Sequence, residues 1–320
     1  MYRAAPGGDP TPATTRASRR RLARAVAVAA VLLAALLAFG ALIPGSIGTG
    51  FATILPWLGL LIPVLFVTAV ISRRRRAWLI VAVPLIVWAV AFVPSLVPLG
   101  WISSAAASDN SLTVASQNVQ AGSGTAAMSA TTLADEGADV IALEELDADA
   151  RVAAASALED SHPYSYTVGT VGLWSTYPIV NEQPLDLGLG WKRALAADID
   201  TPAGLVSVYV IHAASFRPGE QTDRDTMLAE LAAMVPNDEN DRMIVLGDFN
   251  ATSTDQALAP LQAELSEPNQ SDASLGFTWP ANFPIGRIDH IFQRGLDATS
   301  LRTFESGSSD HLAVLATFNL

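Results

Sequence analysis

Apolar and polar positions follow two different rules along this chain. Between residues 25 and 102 the apolar run is nearly continuous, and the only charged side chains are Arg73, Arg74, Arg75 and Arg76. The pattern predicts three membrane-spanning helices, residues 25–43, 51–71 and 77–99, each close to the roughly 20 residues that cross a bilayer. Pro56, Pro63, Pro84 and Pro94 fall inside them and predict kinks, since neighbouring helices can re-satisfy freed backbone groups. After residue 103 short apolar runs alternate with helical patterns. "LTVASQNV", "DVIALEEL", "YSYTVGTVGLWS", "ALAADID", "LVSVYVIHA", "RMIVLGDFN", "RIDHIFQRG" and "HLAVLATFNL" read as strands. "TAAMSATTLADEG", "ADARVAAASALED" and "EQTDRDTMLAELAAMV" read as helices, the last with a core stripe of Met227, Leu228, Leu231 and Met234. Strands with interspersed helices predict a layered α/β domain. The organisation expected is a basic tail (1–24), a membrane anchor (25–102), a small polar linker (103–110) and a globular domain (111–320).

Arginine placement orients the anchor. Arg3, Arg16, Arg19, Arg20, Arg21 and Arg24 precede the first span and the arginine knot lies between the second and third, whereas "PGSIGTG" between the first two has none. The excess of positive charge on cytoplasmic loops predicts a multi-pass plasma-membrane protein with a cytoplasmic N-terminus and an extracytoplasmic globular domain. A cleaved signal peptide is disfavoured because the first apolar run is too long and two more follow. The spans carry no internal charge, which predicts an anchor and not a transporter.

Charge narrows the partners. The chain has 31 acidic and 19 basic residues; only Asp9 but ten of the arginines lie before residue 103, leaving the globular domain thirty acidic against nine basic, about −21. Such a surface disfavours a long polyanion, whose non-specific binding depends on Lys and Arg. With no cysteine there is neither disulfide nor thiolate metal site.

The candidate chemistry sits where apolar runs end: Asn118, Glu145, His212, Asp248 with Asn250, Asp289, and Asp310 with His311. Residues at strand ends can converge on one face, where rigid elements support a site. An oxygen-rich pocket of acids and amides suits a hard divalent cation, Mg²⁺ before Mn²⁺ or Ca²⁺. Hydrolysis of a phosphate ester needs neutralised phosphoryl oxygens, a deprotonated water and a stabilised leaving alkoxide. His311 with a carboxylate beside it can take the proton from water near neutral pH. His290, one residue from Asp289, faces the other way on a strand and reads as structural. His162 reads as loop surface, and Lys192 with Arg193 reads either as phosphate contacts or as a solvated loop.

"SQNV", "ADVIALEEL", "WSTYPI", "VYVIHAAS", "VLGDFNA", "RIDHIF" and "SSDHLAV", in this order, resemble the endonuclease/exonuclease/phosphatase superfamily with its deoxyribonuclease I-like fold. The resemblance implies a four-layered sandwich, two β-sheets face to face with helices outside, and a phosphoester hydrolase. It implies Glu145 as metal-binding glutamate, Asn118 as the amide arranging that site and Asp310 as an acid next to the catalytic His311. It makes Asp248 and Asn250 the pair that positions water and contacts phosphate, Asp289 the carboxylate that orients a histidine, and His212 the second histidine, on the scissile phosphate or leaving oxygen. Glu144 stands where the family usually has glutamine, so both Glu144 and Glu145 remain candidates for the ligand. Three readings follow: an anchored, metal-dependent phosphoesterase for a small or lipid-linked ester, a nuclease for external DNA or RNA, and a non-catalytic surface domain.

Overall fold

The computed structural model describes residues 12–103, 108, 110–217 and 221–320. Most of the expected linker and the first eleven residues of the basic tail lie outside them. The chain forms two compact units: Met1–Ile43 with Ile54–Pro94, and Pro44–Thr53 with Ser95–Leu320.

The first unit is helical. Helix α1 (Pro12–Phe39) starts within the expected tail, so the arginines at 16–24 ride on the same helix as the first span. The second expected span is two helices, α2 (Gly45–Leu58) and α3 (Leu61–Ile71), bent by 54°. The break falls at Gly59, where a Cβ would lie 2.4 Å from the Trp88 indole nitrogen. That indole donates to the Pro56 carbonyl at 2.8 Å, satisfying an oxygen that the break releases. Helix α4 (Arg75–Leu96) corresponds to the third expected span. Among the described residues two helices are long and apolar enough to cross a membrane, or three spans if the bent pair counts as one.

The second unit opens with a short helix, α5 (Leu99–Ile102), and holds two sheets. The larger has the order β10-β11-β1-β2-β4-β3, built from β1 (Ser111–Asn118), β2 (Val140–Glu144), β3 (Tyr164–Val168), β4 (Val171–Ser175), β10 (Asp297–Phe304) and β11 (Ala313–Asn319). The smaller runs β5-β6-β7-β8-β9, with β5 (Ile179–Leu185), β6 (Ala194–Thr201), β7 (Gly204–His212), β8 (Met243–Asp248) and β9 (Asp289–Arg294). Their facing residues, among them Val114, Ala142, Leu195, Val208, Ile244 and Val314, form one buried core. Helices α6 (Ala126–Asp135) and α7 (Ala148–Leu158) cover the outer face of the larger sheet. Helices α8 (Gln221–Met234) and α9 (Ala259–Glu264) cover the smaller. The result is the expected four-layered sandwich.

Each sheet contains one parallel pair, β1 with β2 and β7 with β8. Parallel neighbours need a crossover, and α6 and α8 provide it. Parallel register sets strand ends side by side: Asn118 opposite Glu144, and His212 opposite Asp248, with Asp289 of antiparallel β9 also opposite Asp248.

Candidate active site

Four strands, two from each sheet, end in the residues singled out by the sequence, and turns hold them there. Just past β2, Glu145 has a φ of 59°, and just past β8 Asn250 has a φ of 49°. A left-handed glutamate is strained by about 1–3 kcal/mol, which the packing around it must offset. Gly247 has a φ of 136°, and a Cβ there would sit 2.0 Å from the Ile211 carbonyl, so this close approach between β7 and β8 requires glycine.

The carboxylate of Asp248 is the hub. Its Oδ2 accepts from Asn118 Nδ2 at 3.1 Å and Asn250 Nδ2 at 3.2 Å, and its Oδ1 accepts from the Asn250 amide at 2.9 Å. Asn118 is fully engaged, because its Oδ1 also accepts from the Gln120 amide at 2.9 Å. His212 Nε2 lies 3.9 Å from Asp248 Oδ2 and 3.6 Å from Glu145 Oε1. His311 Nδ1 is 2.9 Å from Asp289 Oδ2 and 3.1 Å from its Oδ1, which puts the proton on Nδ1 and turns Nε2 away from Asp289. Asp310 accepts from the Trp279 indole at 3.2 Å. Glu145, Asp248, Asn250, Asp310 and His311 line one cavity of about 250 Å³.

Burial separates the two glutamates. Glu144 is completely buried; Ser116 donates to its Oε1 at 3.0 Å, and its other oxygen has no hydrogen-bond partner. Burial first, then Asp289 and Asp248, push its acid well above the ordinary range. The Glu145 side chain is 31% exposed, and its Oε2 accepts from the Ala121 amide at 3.0 Å. Of the two, only Glu145 faces the cavity.

The same forces set the other charges. Burial and Asp289 raise Asp248 to about 6, against the opposing pull of His311 and the amide hydrogen bonds. Burial alone would lower His311, but Asp289, Asp248 and Asp310 outweigh it and raise it to about 10. Burial, Arg193 and His311 hold His212 well below the usual histidine range. Arg193 is itself buried, its Nη2 against both ring nitrogens of His212 and 2.8 Å from Nδ1, with the Trp191 ring 4.9 Å from its guanidinium carbon. Of the two sequence readings of Arg193, the solvated loop is therefore replaced by a contact inside the site.

Two further histidines resolve differently. His290 is buried away from the cavity, bonded to Glu267 and to the Ala251 carbonyl, as a structural residue should be. His162 is not loop surface: it is 3% exposed, and Nε2 meets the Ala138 carbonyl at 2.9 Å.

Among the described residues, Asp248, Asp289 and His311 offer ligand atoms within 4.8 Å of one another. Asp289 is already committed to His311, so an ion bridging all three would displace that hydrogen bond. Glu145 and Asp310 also line the cavity, and their carboxylate oxygens are of the kind a hard cation takes. The donor chemistry fits a divalent ion.

A model of the Endonuclease/Exonuclease/phosphatase family matches residues 115–311. A curated UPF0294 protein from Vibrio campbellii is 28% identical over 116 residues, 36% of this chain, and the chain spans about two fifths of that relative's length, 40%. Among solved structures, a humanized D. rerio TDP2 is 16% identical, with a TM-score of 0.56 over 66% of this chain and 99% of the other. Sphingomyelinase C from Streptomyces griseocarneus is 19% identical, with a TM-score of 0.50 over 65% of this chain and 99% of the other. At these identities the two structures share the fold.

Proposed function

Because the chain belongs to the endonuclease/exonuclease/phosphatase family, we propose that it is a membrane-anchored phosphoesterase that uses a divalent cation, Mg²⁺ before Mn²⁺ or Ca²⁺, to hydrolyse a small or lipid-linked phosphate ester outside the cytoplasm. The observation that carries this reading is the single cavity shared by Glu145, Asp248, Asn250, Asp310 and His311.

Glu145 and Asp310 would hold the ion, with Asn118 bracing Asp248 beside them. When bound, the ion supplies Lewis-acid neutralisation of charge on the phosphoryl and leaving oxygens. Asn250 and the Asp248 carboxylate position the attacking water. Ordinary histidine chemistry gives the proton of that water to His311, but the charges around the ring favour Asp248. A carboxylate near 6 is largely ionised at pH 7 yet basic enough to take the proton. His311, held near 10, is a cation at that pH and suits a phosphoryl oxygen. His212 is neutral and, with Arg193 alongside, faces the same charge.

Sidedness rests on arginine placement together with unit membership. Pro44–Thr53 and Ser95–Leu320, the parts that join the catalytic unit, flank spans at ends without arginine, whereas the 73–76 knot belongs to the other unit. A charge near −21 on the globular domain favours small or lipid-linked esters over nucleic acid, and a sphingomyelinase shares the fold. The test is hydrolysis of bis(4-nitrophenyl) phosphate by the full chain in detergent, with and without Mg²⁺. Activity that EDTA removes supports the proposal. No hydrolysis with Mg²⁺, Mn²⁺ or Ca²⁺ leaves a surface binding domain instead, and preference for an oligonucleotide over all other esters leaves a nuclease.

A further inference from the structure

The link between the first two apolar stretches, Pro44 and the opening turns of helix α2, belongs to the catalytic unit. Residues Pro44–Thr53 are part of it, and Thr49 and Thr53 line the same cavity as Glu145, Asp248 and His311. The link is fastened by buried polar contacts. Thr49 is 5% exposed, and its Oγ1 accepts from Gln221 Nε2 at 3.1 Å and Arg224 Nη2 at 3.0 Å. Thr254 donates to the Ala52 carbonyl at 3.0 Å. Arg224 is fully buried and reaches further: its Nη1 donates to the Asn250 carbonyl at 2.9 Å and pairs with Asp255 at 3.1 Å. One guanidinium thus ties the link to the residue that holds Asp248.

Sequence chemistry explains why this segment can form a wall. "GTG" at 48–50 places small residues on either side of Thr49, whose hydroxyl meets Gln221 and Arg224 of α8, and Ala52 is nearly inaccessible. Phe216 and Trp279, both partly exposed, line the same cavity. Aromatic rings with one wet edge suit the boundary between water and lipid. Thr53 lies in the same helix as the apolar residues from Ile54 onward.

We propose that Pro44–Thr53 is a built wall of the catalytic pocket and fits that pocket to phosphate esters carried in a lipid bilayer. The proposal rests on reading the site as a phosphoesterase. A pocket wall fixed covalently to a membrane helix meets headgroups at the surface in which that helix is embedded, and Thr53 is the specificity-determining side chain of that wall.

The absence of native cysteine makes the test clean. The full chain bearing T53C, and separately S46C at an exposed position of the same segment outside the pocket lining, is modified with a bulky maleimide in detergent. Hydrolysis is then measured on bis(4-nitrophenyl) phosphate and on mixed vesicles of phosphatidylcholine, phosphatidylglycerol and sphingomyelin. Modified T53C should lose about tenfold or more in kcat/KM on both, while modified S46C stays within about twofold of the unmodified protein. In a separate arm, inorganic phosphate with Mg²⁺ should slow maleimide modification of T53C and leave S46C unaffected. Full activity of modified T53C, or equal loss in both variants, overturns the wall while leaving the phosphoesterase reading intact. Phosphate protection of T53C without hydrolysis of any ester supports the wall and overturns the phosphoesterase reading. Wild-type kcat/KM about tenfold higher on a vesicle lipid than on the soluble diester supports the lipid assignment, and equal or lower values overturn it.

Discussion

His311 and His212 are both buried beside strand ends within reach of Asp248, and the protein drives them to opposite charge states. Asp289, Asp248 and Asp310 surround the first and keep it a cation. Burial, Arg193 and His311 itself keep the second neutral. Residue type therefore says little about which histidine moves a proton and which holds a charge; their neighbours decide, and Asp248 between them becomes the group poised near neutrality.

Four variants break or sharpen this contrast, assayed by initial rates on bis(4-nitrophenyl) phosphate with Mg²⁺. D248N removes the base and should lower kcat about 10³-fold or more, whereas a loss under about tenfold would return that role to His311. E145Q, a change at the cavity-facing glutamate, should cost about 10²-fold, partly recovered by raising Mg²⁺. In the wild type, activity should rise with pH as Asp248 loses its proton through about 6 and fall as His311 loses its proton toward about 10. Those limbs belong to the coupled pair. D289N removes the main charge that raises His311, so the alkaline limb should move to lower pH and the rate at pH 9 should drop about tenfold; an alkaline limb that stays in place would place another group on it. R193A should raise KM several-fold and make His212 easier to protonate, visible as an upward shift of its imidazole titration by NMR.

The parts of the site legible in the sequence share one property: each sits beside an apolar run whose strand register is set locally. Asn118, His212 and Asp248 could be placed because the residues just before them are buried. Strands β5 and β10 gave no such signal. They are edge strands with mixed or exposed faces, and β5 carries Pro184, which an edge tolerates. His162 was misread because its burial depends on the distant Ala138 carbonyl. In the sequence, residues 44–50 have no role beyond a loop without arginine and 51–53 fall in the second span, for the same reason: the hydrogen-bond partners of Thr49 and Ala52 lie 172 to 202 residues further on. Local pattern locates strand ends, whereas long-range pairing decides what a loop touches.

The position of β11 bears on how the protein is made. It lies between β10 and β1, pairing Ser111 with Asn319 and Ala298 with Phe318. The larger sheet therefore remains two separate pieces until β11 has been synthesised, about two hundred residues after β1, and such distant pairing is slow to close. A variant whose β11 could not pair would expose two strand edges, those of β1 and β10, and its nascent product would be a substrate for quality-control proteases.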